Sequence, residues 1–246
     1  MAIKKNHDYF DIIDTEFKAY ILGWIYADGC LIPAKGNRQG LFVISVQEND
    51  GKEFLPHLAK EINGRVPSVR YYPAQIKRNE KPQLKVSVSS NQIYKALTKY
   101  GLQPNKTTHG MKFPSLSKDM ESHFIRGFLD GDGSIIYSQT ISTYQPKTKV
   151  KTNKLRDRAR IAFTGTDIQF LTELASKLPI TKMYIGQKKR NLITYILWIE
   201  RALDVRAVLK YLYKDATWFL TRKRDKAVKI ISSEALCKHK ERSETT

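Results

Sequence analysis

Two kinds of apolar pattern alternate along the chain, and the same order of patterns occurs twice. Residues 19–31 (AYILGWIYADGCL) and 123–135 (HFIRGFLDGDGSI) are apolar runs of helical length that stop at an Asp-Gly pair. Short β-like runs follow each. Then LFVISVQENDGKEFLPHLAKEI (41–62) and ARIAFTGTDIQFLTELASKL (159–178) each read as a strand, a turn and an amphipathic helix. Further strands are predicted at 65–73 and 84–90 in the first copy, and at 182–189 and 192–200 in the second. Each copy closes on a helical pattern, at 91–100 and 204–230. The order is helix, two strands, helix, two strands, helix, twice over, which is an α+β plan. The chain therefore divides into repeats at 1–118 and 119–232, with a polar tail at 233–246 expected to be disordered.

Aligned on their glycines, the two motifs match at a constant offset of 104 residues: Gly23 with Gly127, Ala27 with Gly131, Asp28 with Asp132, Gly29 with Gly133. Gly29 and Gly133 are expected to end their helices in the left-handed conformation. Gly23 and Ala27 are four apart and share a helix face, as do Gly127 and Gly131. Small residues at that spacing let two helix backbones approach closely. A glycine inside a helix costs about 1 kcal/mol relative to alanine, so close packing of the two motif helices is the economical reason for Gly23 and Gly127.

The aspartates carry the chemistry. Asp28 and Asp132 fall at helix C-termini, where a carboxylate meets the negative end of the macrodipole at a cost of about 0.3–1 kcal/mol each. Parallel packing of the helices also brings the two like charges together, a situation that a divalent cation between them relieves. Oxygen ligands suit Mg²⁺. A solvated Asp-Gly turn is the plain alternative for one such residue; matched positions in a repeat argue against it for two. A calcium loop starting at Asp130 fails, because Ile135 and Ile141 occupy the positions that require glycine and glutamate.

Charge then narrows the partner. The 246 residues include 43 Lys and Arg against 24 Asp and Glu, a net charge of +19, and both halves are basic, +8 over 1–118 and +11 over 119–246. A polyanion is the natural partner, DNA or RNA by charge alone. The two cysteines and five histidines form no zinc pattern. No apolar run approaches a membrane span and the N-terminus lacks a signal-peptide core, so a soluble intracellular protein is expected, in a bacterial or phage cytoplasm or an organelle.

At ILGWIYADG (21–29) and IRGFLDGDG (125–133) the chain resembles the single-chain LAGLIDADG homing endonucleases, over roughly residues 14–230. One nine-residue motif would be weak; two in register with αββαββα repeats in a basic chain are specific. The resemblance implies two pseudo-symmetric repeats whose antiparallel sheets form a saddle-shaped platform over the DNA major groove. The motif helices would make the central interface. It also implies that Asp28 and Asp132 bind Mg²⁺ at the scissile phosphates, with Mn²⁺ or Ca²⁺ able to substitute for binding, and that the carbonyls of Ala27 and Gly131 complete the coordination. Both strands of a long asymmetric target would be hydrolysed, leaving short 3′ overhangs, by a monomer. Gln47 matches the family's polar strand residue, with its counterpart near Gly165. Lys106 and Lys223 match the lysine that closes each repeat, with Lys112 and Arg222 as competing choices. Tyr26 stands where the second motif has Asp130; that position is not a metal ligand in the family, and packing is expected of Tyr26.

Residues 147–160 (KTKVKTNKLRDRAR) hold seven basic residues and one acid, Asp157. They are expected to form a mobile hairpin tip that grips phosphates. Candidate DNA contacts in the first repeat are Arg38, Gln39, Arg70, Tyr72, Gln75, Lys77, Arg78 and Lys85. In the second they are Lys154, Arg156, Arg158, Arg160, Tyr184, Gln187, Lys189, Arg190 and Tyr195. Two other readings of the resemblance stay open. One is an RNA maturase that assists splicing of its own group I intron. The other is a regulator without chemistry, which the intact Asp28 and Asp132 oppose.

Overall fold

The computed structural model of the protein describes residues 5–64, 68–75, 79–144, 152–189, 193–233 and 236, with the backbone alone at 140–144, 152–156 and 189. Helix α1 (Glu16–Asp28) starts where the Thr15 hydroxyl accepts the Lys18 N–H at 3.3 Å, a side-chain cap on the first turn. Apart from Lys18 it is buried from Phe17 to Ala27, as a helix that is apolar all round requires. The first repeat continues with β1 (Gly29–Ile32), β2 (Leu41–Gln47), α2 (Glu48–Gly51), α3 (Leu55–Asn63), β3 (Val69–Tyr72), β4 (Gln83–Ser89), α4 (Asn91–Lys99) and the single turn α5 (Lys106–His109). The second comprises α6 (Lys118–Asp132), β5 (Gly133–Tyr144), β6 (Thr152–Gly165), α7 (Ile168–Ser176), β7 (Tyr184–Lys189), β8 (Ile193–Ile199), α8 (Ala202–Tyr213) and α9 (Thr221–Ser232).

The repeat seen in the sequence is a repeat of topology. Each half forms a four-stranded antiparallel sheet, in the orders β1-β2-β4-β3 and β5-β6-β8-β7. Period-two burial places Phe42, Ile44, Val46, Leu84, Val86 and Val88 on the helix side of the first sheet. The second hairpin is longer, with twelve β5–β6 pairs against four for β1–β2. The helical pattern at 204–230 is two helices, because Asp215 takes a left-handed φ of 56° and turns the chain between α8 and α9. Leu236, within the tail expected to lack order, is 2% exposed and belongs to the core.

One hydrophobic core spans both repeats, with α1 and α6 at its centre. A Cβ on Gly23 would collide with the backbone of Phe124, Phe128 and Gly127. One on Gly127 would collide with the carbonyl of Tyr20. The helices therefore touch backbone to backbone, and any side chain at these positions pushes them apart. Gly29 and Gly133 depart from expectation: their φ values are −82° and −106°, extended rather than left-handed. Glycine is needed there for space, since a Cβ would meet the Ile25 carbonyl at 2.5 Å and the Leu129 carbonyl at 2.7 Å.

Polar ties reinforce the crossing. Arg126, fully buried on α6, donates to the Leu212 carbonyl (2.6 Å), the Trp218 carbonyl (2.7 Å) and Glu16 of α1 (2.6 Å). Glu16 also accepts the N–H groups of Thr217 (2.8 Å) and Trp218 (2.9 Å). Burial alone would raise the Glu16 carboxyl, but these hydrogen bonds and the Arg126 charge hold it below the usual carboxylate range. Gly127→Ala is expected to lower stability by about 1–3 kcal/mol through overpacking against backbone. Thermal unfolding of the variant beside the parent checks this: a drop of several degrees is expected, and an unchanged midpoint would contradict backbone contact at the crossing.

Candidate active site at the paired helix ends

Both motif helices end at the same place. Gly131 is so close to Ala27 that a Cβ on it would collide with the Ala27 side chain, and that Cβ position lies 3.5 Å from Asp28 Oδ2. Asp28 thus lies against the second motif, where the charge of Asp132 reaches it. Both aspartates open to solvent, yet the protein around them displaces much of their water. Desolvation, then repulsion by Asp132, pushes Asp28 up to about 6, with Lys106 and Lys223 pulling the other way. Desolvation likewise holds Asp132 above its usual value against the same two lysines.

Each lysine caps the end of its own repeat's motif helix. The Lys106 ammonium donates to the carbonyls of Ile25 (3.0 Å), Tyr26 (2.5 Å) and Ala27 (2.5 Å). That of Lys223 donates to the carbonyls of Leu129 (2.5 Å), Asp130 (2.8 Å) and Gly133 (2.8 Å). Three donors meet three carbonyls in each case, opposing the negative helix end. Those of Tyr26, Ala27 and Asp130 are acceptors the helices leave open, whereas those of Ile25 and Leu129 also accept the N–H groups of Gly29 and Gly133. Burial lowers both lysines to about 8, opposed by Asp132 and Asp28 at Lys106 and chiefly by Asp130 at Lys223. The alternatives do other work: Arg222 grips Asp50 across the repeat boundary through two contacts (2.9 and 2.6 Å), and the carbonyl of Lys112 accepts from Tyr26 (2.9 Å).

Gln47 ends β2, exposed, opposite Gln83. Sheet register moves its counterpart by one residue. Gly29 pairs with Ile44, three before Gln47, and Gly133 pairs with Phe163, three before Thr166. Thr166, next to Gly165, is therefore the equivalent position. The unequal hairpins hid this in the sequence.

Alternation sorts the remaining candidates. Arg70, Tyr72, Lys85 and Gln47 share the face of the first sheet opposite its core, with Lys85 Nζ 5.2 Å from the Tyr72 ring centre. Arg38, Gln39 and Gln75 are exposed in loops beside that sheet. In the second sheet Tyr184, Arg158 and Arg160 take the equivalent face, where Arg160 stacks on Trp198 (5.5 Å) and pairs with Glu200 (3.1 Å). Gln187, Lys189 and Tyr195 fall on the opposite parity, and Tyr195 packs against the core. Lys188, Thr194 and Trp198 replace them on the outward face. Counting by twos from Gly133 finds this, because its row (Phe163, Leu197, Ile185) is the inward one. Lys154 and Arg156 are positions of β6 whose side chains lie outside the described residues, as do Lys77, Arg78, Arg190, the Lys147–Lys151 segment and most of the tail. No helix among the described residues is long and apolar enough to cross a membrane.

The donor set fits a hard divalent cation. Two open, mutually repelling carboxylates offer oxygen ligands and leave coordination positions free. Among the described residues no cluster of three or more His, Cys, Asp or Glu forms, so further ligands would be carbonyls, water or a phosphate. Of the two expected carbonyls, that of Ala27 is engaged by Lys106.

The fold is that of the LAGLIDADG homing endonucleases. The chain superposes on the LAGLIDADG meganuclease I-AabMI bound to uncleaved DNA with a TM-score of 0.57 at 14% identity, covering 92% of each chain. On meganuclease I-SmaMI bound to uncleavable DNA the TM-score is 0.58 at 14% identity, covering 90% of this chain and 94% of that one. For I-LtrWI bound to target DNA the figures are 0.55, 14%, 95% and 96%. At these identities the likeness is one of fold. No family model and no curated protein matches the chain.

The electrostatics give a metal-free expectation. A carboxyl raised from about 4 to about 6 on folding favours the native state when protonated, so its contribution is present below pH ~4 and lost as pH rises through 6. Without divalent cations, Asp28→Asn should raise the unfolding midpoint at pH 7 and flatten its fall between pH 4 and 6. A lower midpoint than the parent at pH 7 would refute repulsion at the paired helix ends.

Proposed function

We propose that this chain is a site-specific, divalent-metal-dependent DNA endonuclease that hydrolyses both strands of a long asymmetric duplex and leaves short 3′ overhangs. The observation that carries the reading is the meeting of Asp28 and Asp132 at adjacent helix ends, each backed by a lysine of its own repeat. A regulator that only binds DNA has no use for two repelling carboxylates held together at an energetic cost. Two sites related by the repeat match a substrate with two strands, and the basic, outward faces of the two sheets match its phosphates.

Asp28 and Asp132 would hold Mg²⁺, with Mn²⁺ or Ca²⁺ as stand-ins for binding; I-SmaMI has been solved on its uncleaved DNA target in the presence of calcium ions. When bound, the metal supplies activation of water and stabilisation of charge on the phosphate. The chain's own residues position that chemistry. The aspartates set the metal at the helix interface, and the lysines keep the helix ends from repelling both the carboxylates and an incoming phosphate. Arg70, Tyr72, Lys85, Arg158 and Tyr184 would hold the duplex over them. Gln47 and Thr166 differ in reach and chemistry, so the two strands should be cut at unequal rates. A single chain supplies both halves, so it acts as a monomer.

The test is selection from a randomised duplex library in Mg²⁺. Cleaved sequences should be recovered, and Asp28→Asn and Asp132→Asn should lose cutting by roughly 100-fold or more while binding the selected duplex as before. Absence of any cleaved site, together with tight binding to the chain's own intron RNA, would replace this reading with the maturase one.

A further inference from the structure

The residue two before each metal-site aspartate differs between the repeats, Tyr26 in one and Asp130 in the other, yet both reach the same kind of target. Tyr26 is fully buried, and its ring packs against Phe124 (5.0 Å) and Phe170 (5.7 Å). Its hydroxyl lies between the carbonyls of Tyr100 (2.5 Å) and Lys112 (2.9 Å). Those two residues bracket the segment that carries Lys106. Gly101, at φ 103°, lies under that hydroxyl: a Cβ there would come within 3.1 Å of it and 3.0 Å of the Lys112 carbonyl. The loop is thus shaped to bring the carbonyls at both of its ends to one phenol, whose single proton is shared between them.

Asp130 does the equivalent work with other atoms. Its buried carboxylate accepts the Leu220 N–H (2.8 Å) and the hydroxyls of Tyr213 (3.3 Å) and Tyr20 (2.9 Å). Tyr213 ends α8, and Leu220 caps the start of α9. Lys223 lies in the first turn of α9 and is itself buried. The carboxylate therefore closes the α8–α9 connection and sits at the positive end of the helix that presents the lysine.

Two unlike side chains at one repeat position converge on one task, which packing alone does not explain. We propose that Tyr26 and Asp130 are positioning residues, each fixing the segment that delivers its repeat's lysine to the end of the motif helix. The role in cleavage rests on the endonuclease reading; the placement of the lysines does not.

The experiment measures both separately. Full-length parent and variants are treated with an amine-acylating reagent under native conditions, and modification of Lys106 and Lys223 is followed by peptide mass spectrometry. Both lysines should be protected in the parent. Tyr26→Phe, which keeps the ring packing, should raise the rate at Lys106 by roughly fivefold to tenfold, the worth of about one hydrogen bond, and leave Lys223 unchanged. Asp130→Ala should do the reverse, and Asp130→Asn, which still offers an oxygen to the Leu220 N–H, should restore protection. Tyr26→Phe carries the test alone if Asp130→Ala does not fold. Unchanged protection in folded variants overturns the proposal. So does a parallel rise at both lysines, the mark of general loosening. On a cleavable duplex, strand-resolved nicking should shift in opposite directions for the Tyr26 and Asp130 variants. A parent that cuts nothing refutes the endonuclease reading, while the acylation result still decides the placement of the lysines.

Discussion

Everything at the centre of this molecule depends on two helices touching backbone to backbone. Without side chains at Gly23 and Gly127, α1 and α6 approach until the carbonyl of Tyr20 and the backbone of Phe124 set the limit. That contact decides where Asp28 and Asp132 end up, and it brings together two negative helix ends that each already carry an acid. Such an arrangement is unfavourable by itself. The fold offsets it from behind, with two lysine ammoniums donating to six carbonyls in total, and leaves it open in front, where a cation and a phosphate would enter. The lysines are themselves desolvated, which lowers them to about 8, so the centre balances several costs that a bound metal and a polyanion would relieve.

The two repeats reach this balance by different means. In the first, the lysine rides on a single turn, α5, held by the phenol of Tyr26. In the second it rides on a full helix, α9, held by a carboxylate, while Arg126 and Glu16 lock the preceding segment to both motif helices. Cross-repeat acids brace each lysine segment as well: Asp50 and Glu53 hold Arg222 and Thr221 (2.6 and 2.9 Å), and Asp167 holds the N–H of Met111 (3.0 Å). Neither lysine segment is therefore independent of the opposite repeat, and docking of the two halves and assembly of the centre are one event.

Much of this was legible in the residue pattern, for definable reasons. A repeat multiplies weak signals: the Gly23–Ala27 and Gly127–Gly131 spacing predicted the helix contact because both copies carry it. Strand positions were recovered where alternation is strong, as at 41–47 and 84–89. Register was not, because it depends on hairpin length, and β5–β6 is three times as long in pairs as β1–β2. That is why the counterpart of Gln47 reads as near Gly165 rather than as Thr166; Gln187 and Tyr195 fall on the inward rows for another reason, the parity of β7 and β8. The left-handed expectation for Gly29 and Gly133 failed because tertiary crowding, not φ, demands glycine there. The functional use of Tyr26 and Asp130 is not legible in the sequence because their partners lie 74 to 110 residues away.

The central claim is that Asp28 and Asp132 together hold a divalent cation at the helix interface. The most direct measurement is anomalous diffraction from crystals of the protein with a bound duplex and Mn²⁺. The account predicts anomalous peaks within about 2.0–2.6 Å of carboxylate oxygens of both Asp28 and Asp132, lost when either residue is changed to asparagine. Peaks confined to other parts of the molecule, with the two carboxylates directed away from one another, would contradict it.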